Sequence, residues 1–394
     1  MENVENNIKS QEPVGVEKKE KKSKKKLFIL LFLLVMTAIM LTTSTYAWFT
    51  SNRTVTVEDI NVNVSSGGGI QISVDGNNWK TIVTTTDIAN AYRTYPDATN
   101  QLPAVLRPVS TAANSLTNGY MSMWLGTVTT SNSAANRGSY ILSTQDVSTV
   151  VDNSEDDPDP NQGTNGAFVM FDLFLRLDDN EHTTAQNIYL ANGSNVVIQQ
   201  NSTDLGTQYS ARVAFIKESQ IAYGSSVDDI QDLVTNDASN IVLWEPNYNR
   251  HNSTGLANAT SYYNTTNQGT QYTPAAAGNQ VTYHGVTGQV LTSDDLLLSK
   301  TNPTDTPNKF AAVTADIATA DNWGSGTNYE SLFTLTPNYV TKVRIYFWIE
   351  GQDIDCENNA SGGQISLKLQ FTLNSHSENS QQSGGSASDS GSGA

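Results

Sequence analysis

The stretch QISLKLQFTL, residues 364–373, sets Ile365, Leu367, Leu369, Phe371 and Leu373 on one side of an extended chain. Ser366, Lys368, Gln370 and Thr372 fall on the other side. A strict period of two does not make a helical stripe, and it predicts a β-strand with one buried face. TKVRIYFWIEG repeats the pattern upstream, with Val343, Ile345, Phe347 and Ile349 alternating with Lys342, Arg344, Tyr346 and Trp348. GQDIDCENNASGG joins the two runs, which predicts an antiparallel hairpin with a long acidic loop.

Two further strands are predicted in GAFVMFDLFLRLD (166–178) and SARVAFIKE (210–218). The first is apolar on both sides for several positions, as expected of a central strand in a sandwich. In TVTVEDINVNV (54–64) the apolar positions are Val55 and Val57, then Ile60, Val62 and Val64. The phase changes across Glu58 and Asp59, so a bulge, a bend or a change of sheet is expected there. GGGIQISVDGNNWKTIV predicts a short hairpin, Ile70–Val74 and a strand ending near Val83, around a DGNN turn. One short helix is expected in SSVDDIQDLVTN (225–236), which opens with an N-cap serine. The expected class is therefore all-β, an antiparallel β-sandwich.

Between these strands lie two long polar stretches, about 84–165 and 219–335, expected to be insertions with surface strands of their own. The tail from Ser375 to Ala394 has no large apolar residue and is expected to be disordered.

Eight of the 22 basic residues and five of the 39 acidic ones precede Leu27, so 14 basic residues face 34 acidic ones in the remainder. That surplus repels nucleic acid, and DNA or RNA binding is excluded. The lysine-rich leader, 1–26, runs into LFILLFLLVMTAIML, 27–41, and small residues follow as far as Ala47. An apolar core of this length behind a basic leader suits a signal peptide. The uncharged run from Leu27 to Phe49 would also reach roughly 34 Å as a helix, enough to cross a hydrocarbon core. Residues 27–47 are thus a signal or transmembrane helix that engages the membrane before any cleavage. The lysines hold the N-terminus inside, which puts the ectodomain, 48–374, outside.

Cys356 is the only cysteine, so an exported chain of this size has no internal disulfide framework. The residues His182, His251, His284 and His376 form no HExxH pair, and no GxSxG or phosphate-binding loop occurs. Catalysis has no candidate. Calcium is the one cofactor with candidate ligands, in two acidic clusters: Asp152, Glu155, Asp156 and Asp157, and the alternating Asp353, Asp355 and Glu357. Neither cluster matches the twelve-residue EF-hand loop, and a plain acidic turn is the alternative. Trp124, Trp244, Tyr262 and Tyr263 are read either as sugar-stacking rings or as packing residues.

The hydrophobic leader, the small-residue stop followed at once by aromatics in YAWFTSN, the first strand INVNV and the final strand ISLKLQF together resemble the TasA and camelysin group of exported Gram-positive proteins. The resemblance covers roughly 27–83, 166–218 and 336–374. It implies a jelly-roll ectodomain, a cut by a dedicated signal peptidase between Ala47 and Trp48, and self-association into cell-surface or biofilm-matrix fibres. It also implies that the first strand, carrying Val55, Val57, Ile60, Val62 and Val64, completes the sheet of a neighbouring subunit. Camelysin-type members are described as metallopeptidases, but no conventional ligand set can be matched here and that activity is not carried over. The expected function is an exported, non-enzymatic structural protein, with a membrane-retained adhesin as the alternative.

Overall fold

The computed structural model describes residues 54–64, 69–111, 113, 115–130, 140–148, 166–177, 182–191, 193–247, 252–253, 331–351, 353, 355–356 and 360–373. The leader, the 27–47 segment, the Ala47–Trp48 junction and the tail lie outside them. Among the described residues no helix is long and apolar enough to cross a membrane.

In chain order the strands are β1 (Val55–Val64), β2 (Ile70–Ser73), β3 (Ile82–Thr84), β4 (Val105–Leu106), β5 (Leu116–Thr117), β6 (Tyr120–Met121), β7 (Trp124–Thr130) and β8 (Tyr140–Asp146). They continue with β9 (Val169–Leu177), β10 (Gln186–Leu190), β11 (Asn195–Ile198), β12 (Ala211–Ala222), β13 (Ile241–Trp244), β14 (Phe333–Leu335), β15 (Tyr339–Ile349) and β16 (Gln364–Thr372). Two one-turn helices, α1 (Thr85–Ala89) and α2 (Val227–Gln231), interrupt them. Each carries a side-chain cap, Thr84 with Asp87 in a capping box on α1 and Ser226 on α2, as expected where a short helix must start abruptly. The chain is all-β, as its alternation predicts.

The first sheet has the order β14-β10-β16-β1-β3, with β11 also on β16 and β4 on β1. The second has the order β13-β12-β15-β9-β2. They face each other across one core. Ile365, Leu367, Leu369 and Phe371 of β16 and Val62 of β1 meet Val343, Ile345, Phe347 and Ile349 of β15 and Phe171, Leu173 and Leu175 of β9. Burying aliphatic side chains at about 1.5–3 kcal/mol each is the main stabilising term of such a core.

Two expected hairpins are corrected. β15 pairs with β12 and β9, whereas β16 pairs with β1, β10 and β11, so the last two long strands lie in opposite sheets. The connection from Glu350 to Gly363 is long enough to cross from one layer to the other, and both strands still bury their alternating faces in the shared core. β2 and β3 likewise part to different sheets, and only the Ile72–Lys80 bridge remains of that hairpin. The sandwich is also not wholly antiparallel: β1 runs parallel to β16. Parallel neighbours need a long crossover, and here almost the whole domain separates the two strands.

The second polar stretch begins later than expected. β12 continues to Ala222 beyond a register shift between Lys217 and Ser219, which breaks the alternation visible in the sequence. The stretch also supplies β13 and β14 to the two sheets.

The first polar stretch does more than decorate the surface. The outward face of the second sheet carries Met170, Ala214, Ile216, Tyr346 and Trp348, and Val109, Leu116, Met121, Met123 and Val147 pack over them. Beside this, Tyr95, Ala98 and Ile230 close over Phe174 and Val340. The result is a third layer, a cap, that turns the polar side of β15 inward.

Candidate functional site

β1 sits between β16 and β3, and its ladder explains the phase change in its sequence. The pairs Thr56–Gln364 and Val57–Ile365 are followed by Ile60–Leu367, so one extra residue is accommodated at the exposed Glu58 and Asp59. Ile60 lies where that bulge interrupts the ladder. The first residue of α1 meets it: Thr85 Oγ1 accepts from Ile60 N at 2.8 Å and donates to Ile60 O at 3.0 Å. Past the bulge Val62 pairs with Leu369 and Val64 with Phe371. Val55, Ile60, Val62 and Val64 are buried, and Val57 packs at the margin of the same core. All five apolar positions expected of the first strand therefore serve one core, and in the single chain they complete its own first sheet.

Under the cap lies a cluster of four buried charged side chains, Asp172, Glu218, Lys342 and Arg344, of which alternation in the sequence sets Lys342 and Arg344 opposite the apolar face of their strand. Arg344 grips Asp172 with two nitrogens, Nε to Oδ1 at 2.8 Å and Nη2 to Oδ2 at 3.0 Å. Its third nitrogen donates to Gly119 O at 3.2 Å and lies 3.4 Å from Glu218 Oε1. Lys342 Nζ, 3.3 Å from Asp172, donates to Gln231 O at 2.6 Å and Tyr95 Oη at 3.0 Å. Glu218 Oε2 accepts from Thr235 N at 2.8 Å. These bonds tie β9, β12 and β15 to the cap hairpin β5–β6 and to α2 and the segment after it. With side-chain exposures of 0–4%, the cluster is closed to a substrate. Gly119 has φ +76°, and a Cβ there would stand 2.5 Å from Glu218 Oε1, so glycine is required at this point of the clamp.

Burial pushes the Asp172 carboxyl up, but the Arg344 and Lys342 charges beside it outweigh burial and hold it down at about 2. For Glu218 burial wins over Arg344 and lifts the carboxyl to about 7. The two act oppositely on stability. Asp172, lowered in the fold, stabilises above its ordinary 3.8, and that contribution is lost as pH falls toward about 2. Glu218, raised in the fold, contributes fully below its ordinary 4.5, and the contribution is lost as pH rises through about 7. The thermal midpoint is therefore expected to fall between these two values. Glu218→Gln should flatten that slope in a calorimetric pH series, and an unchanged slope would show that Glu218 is not its source.

A second buried group anchors the opposite end of β12. Arg212 bridges Glu245 Oε1, at 2.9 Å, and Asp353 Oδ2, with all three side chains fully buried. Asp353 Oδ1 also accepts from Asp355 N at 2.8 Å, and Asp355 Oδ1 accepts from Asn252 N at 2.8 Å. Two of the expected calcium ligands are thus brought side by side, yet Asp353 faces a guanidinium. Glu357, Asp152, Glu155, Asp156 and Asp157 lie outside the described residues. Among the described residues no three His, Cys, Asp or Glu side chains are arranged to hold a metal ion.

Trp244 is buried and stacks on Phe215 at 6.4 Å, so it packs the core and offers no sugar platform. Trp124 is half-buried, and Tyr262 and Tyr263 lie outside the described residues. Cys356 is buried within the core.

Sequence reading missed the Asp172–Arg344 clamp. Its signal was the lone acid in FVMFDLFL, a charge inside a run apolar on both faces, which calls for a buried cation. Comparison with family models, curated proteins and solved structures finds no match for this chain.

Proposed function

We propose that the chain is an exported structural protein of the cell surface or biofilm matrix, with a jelly-roll-like ectodomain that self-associates through β-strand edges. The observation that carries this reading is the position of β1. It is the first strand beyond the lysine-led apolar segment, it fills a central slot in a sheet, and it pairs in parallel with β16 at the far end of the chain. No tight turn fixes it to either neighbour, and SSGGG, 65–69, follows it directly. A neighbour's first strand can fill the same slot with the same ladder, the backbone-mediated mode known as strand addition. Signal peptidase cutting between Ala47 and Trp48 is the step that would free this strand, after residues 27–47 have directed the chain through the membrane. The mature protein then belongs to the extracellular matrix or the outer face of the cytoplasmic membrane. No enzymatic activity and no nucleic-acid partner enter this reading.

Mass spectrometry of the N-terminus, on protein from cells and from medium, tests it. A mature chain beginning at Trp48 is expected in the medium. Chains beginning only at Met1, all in the membrane fraction, would instead mark an anchored adhesin.

A further inference from the structure

We infer that the β7–β8 hairpin is a self-association arm that pairs with the same strand of a second copy through the outer edge of β8. This rests on the assembly reading above, but it uses a different strand from β1.

The arm differs from the terminal strands of the two main sheets. β7 and β8 are seven residues each and form a two-stranded sheet of their own. The other edges are short, with three residues in β3 and β14 and four in β2 and β13. The outer side of β2 is further closed by the Ile72–Lys80 bridge. Short or covered edges are how β-proteins avoid unwanted pairing. Among the described residues the arm has neither protection.

Its base is fixed to the cap. Ser110 and Trp124 exchange two backbone bonds of 2.9 Å, and Val147 N donates to Met123 O at 3.0 Å. Ser110 takes the outer side of β7 at its first residue, and among the described residues no strand pairs with the outer edge of β8 from Tyr140 to Asp146. Two strands alone are marginally stable in water, and a third or fourth strand stabilises them.

Charge selects the occupant. In a chain of net charge −17, two copies repel each other over most of their surface, yet Leu125–Gln145 contains no acid, and its single charged residue, Arg137, falls between the two strands in sequence. Thr127, Val128, Thr129, Thr130, Ile141 and Thr144 give the arm high β-propensity. It contains neither the lysine within a strand nor the proline that blunts natural edges. An edge that meets its own copy about a two-fold axis pairs antiparallel, which here makes one four-stranded sheet across two molecules.

The test uses protein beginning at Trp48, with a variant in which residues 126–144 are replaced by Asn-Gly and a second variant, Ser143→Lys, that keeps the hairpin. Sedimentation and hydrogen exchange are read over a concentration series. The parent should associate with slowed exchange at 140–146. Both variants should keep the parent's thermal midpoint and associate about tenfold or more weakly. Undiminished association in both variants would overturn the arm while leaving β-edge assembly standing. A parent that stays monomeric throughout would overturn both. A monomeric parent whose midpoint drops on truncation would show that the arm packs on its own chain, which also overturns the proposal.

Discussion

Deleting residues 54–64 is expected to abolish the cooperative unfolding transition of the ectodomain, and adding the peptide TVTVEDINVNV in trans is expected to restore it. The strand contributes Val55, Ile60, Val62 and Val64 to the core, all at most 9% exposed. At about 1.5–3 kcal/mol for each such side chain, their removal costs as much as the whole stability of an ordinary domain, about 5–15 kcal/mol. The deletion also strips one edge of β16 and leaves β3 and β4 without a partner. Restoration follows because the ladder is made of backbone bonds and the core pocket selects the alternating side chains. Calorimetry with and without the peptide reads both effects. A deleted chain that still unfolded cooperatively near the parent's midpoint would show that β1 is dispensable.

The second large effect concerns the clamp under the cap. Arg344→Ala leaves Asp172 buried with Lys342 as its remaining charged partner, and breaking a buried pair in this way costs about 3–5 kcal/mol. Denaturant titration should register a loss of that size, with the cap segment around Gly119 losing hydrogen-exchange protection first, because Arg344 donates directly to its carbonyl. Replacing Asp172→Leu, Lys342→Met and Arg344→Met together, in a Glu218→Gln background so that no acid is left buried without its Arg344 partner, should recover much of the loss, since apolar side chains avoid the desolvation of the charges. A full-sized loss in the triple variant would mean that the stability came from the charges and not from filling the space.

These two expectations draw on different degrees of legibility. The face that β16 and β15 bury was readable from alternation alone, and the bulge at Glu58 and Asp59 was readable from the change of phase. Alternation says which side of a strand is buried but not which strand lies beside it. For that reason β15 and β16, adjacent in sequence and alike in pattern, predict a hairpin although they belong to opposite sheets. Alternation sets Lys342 and Arg344 opposite the apolar face of their strand, and nothing in that strand signals a third layer over them. That layer is built from segments rich in Asn, Thr and Ser that carry little periodicity, and its apolar anchors Val109, Leu116, Met121 and Met123 are scattered singly. Asp353 illustrates the same limit: its spacing from Asp355 resembled a ligand set, but its partner, Arg212, lies far away in sequence.

On the proposed strand addition, the slot beside β16 is filled by a neighbour's first strand in the assembled protein. Val62 and Leu369 are register partners on adjacent strands. Strands of one sheet lie about 4.8 Å apart, within the reach of a disulfide. Two chains beginning at Trp48, both carrying Cys356→Ala, would be mixed before assembly and then oxidised, one with Val62→Cys and the other with Leu369→Cys. The account predicts a disulfide-linked dimer joining the two different chains. A link that forms only when both substitutions sit in one chain, and then only within that chain, would contradict it.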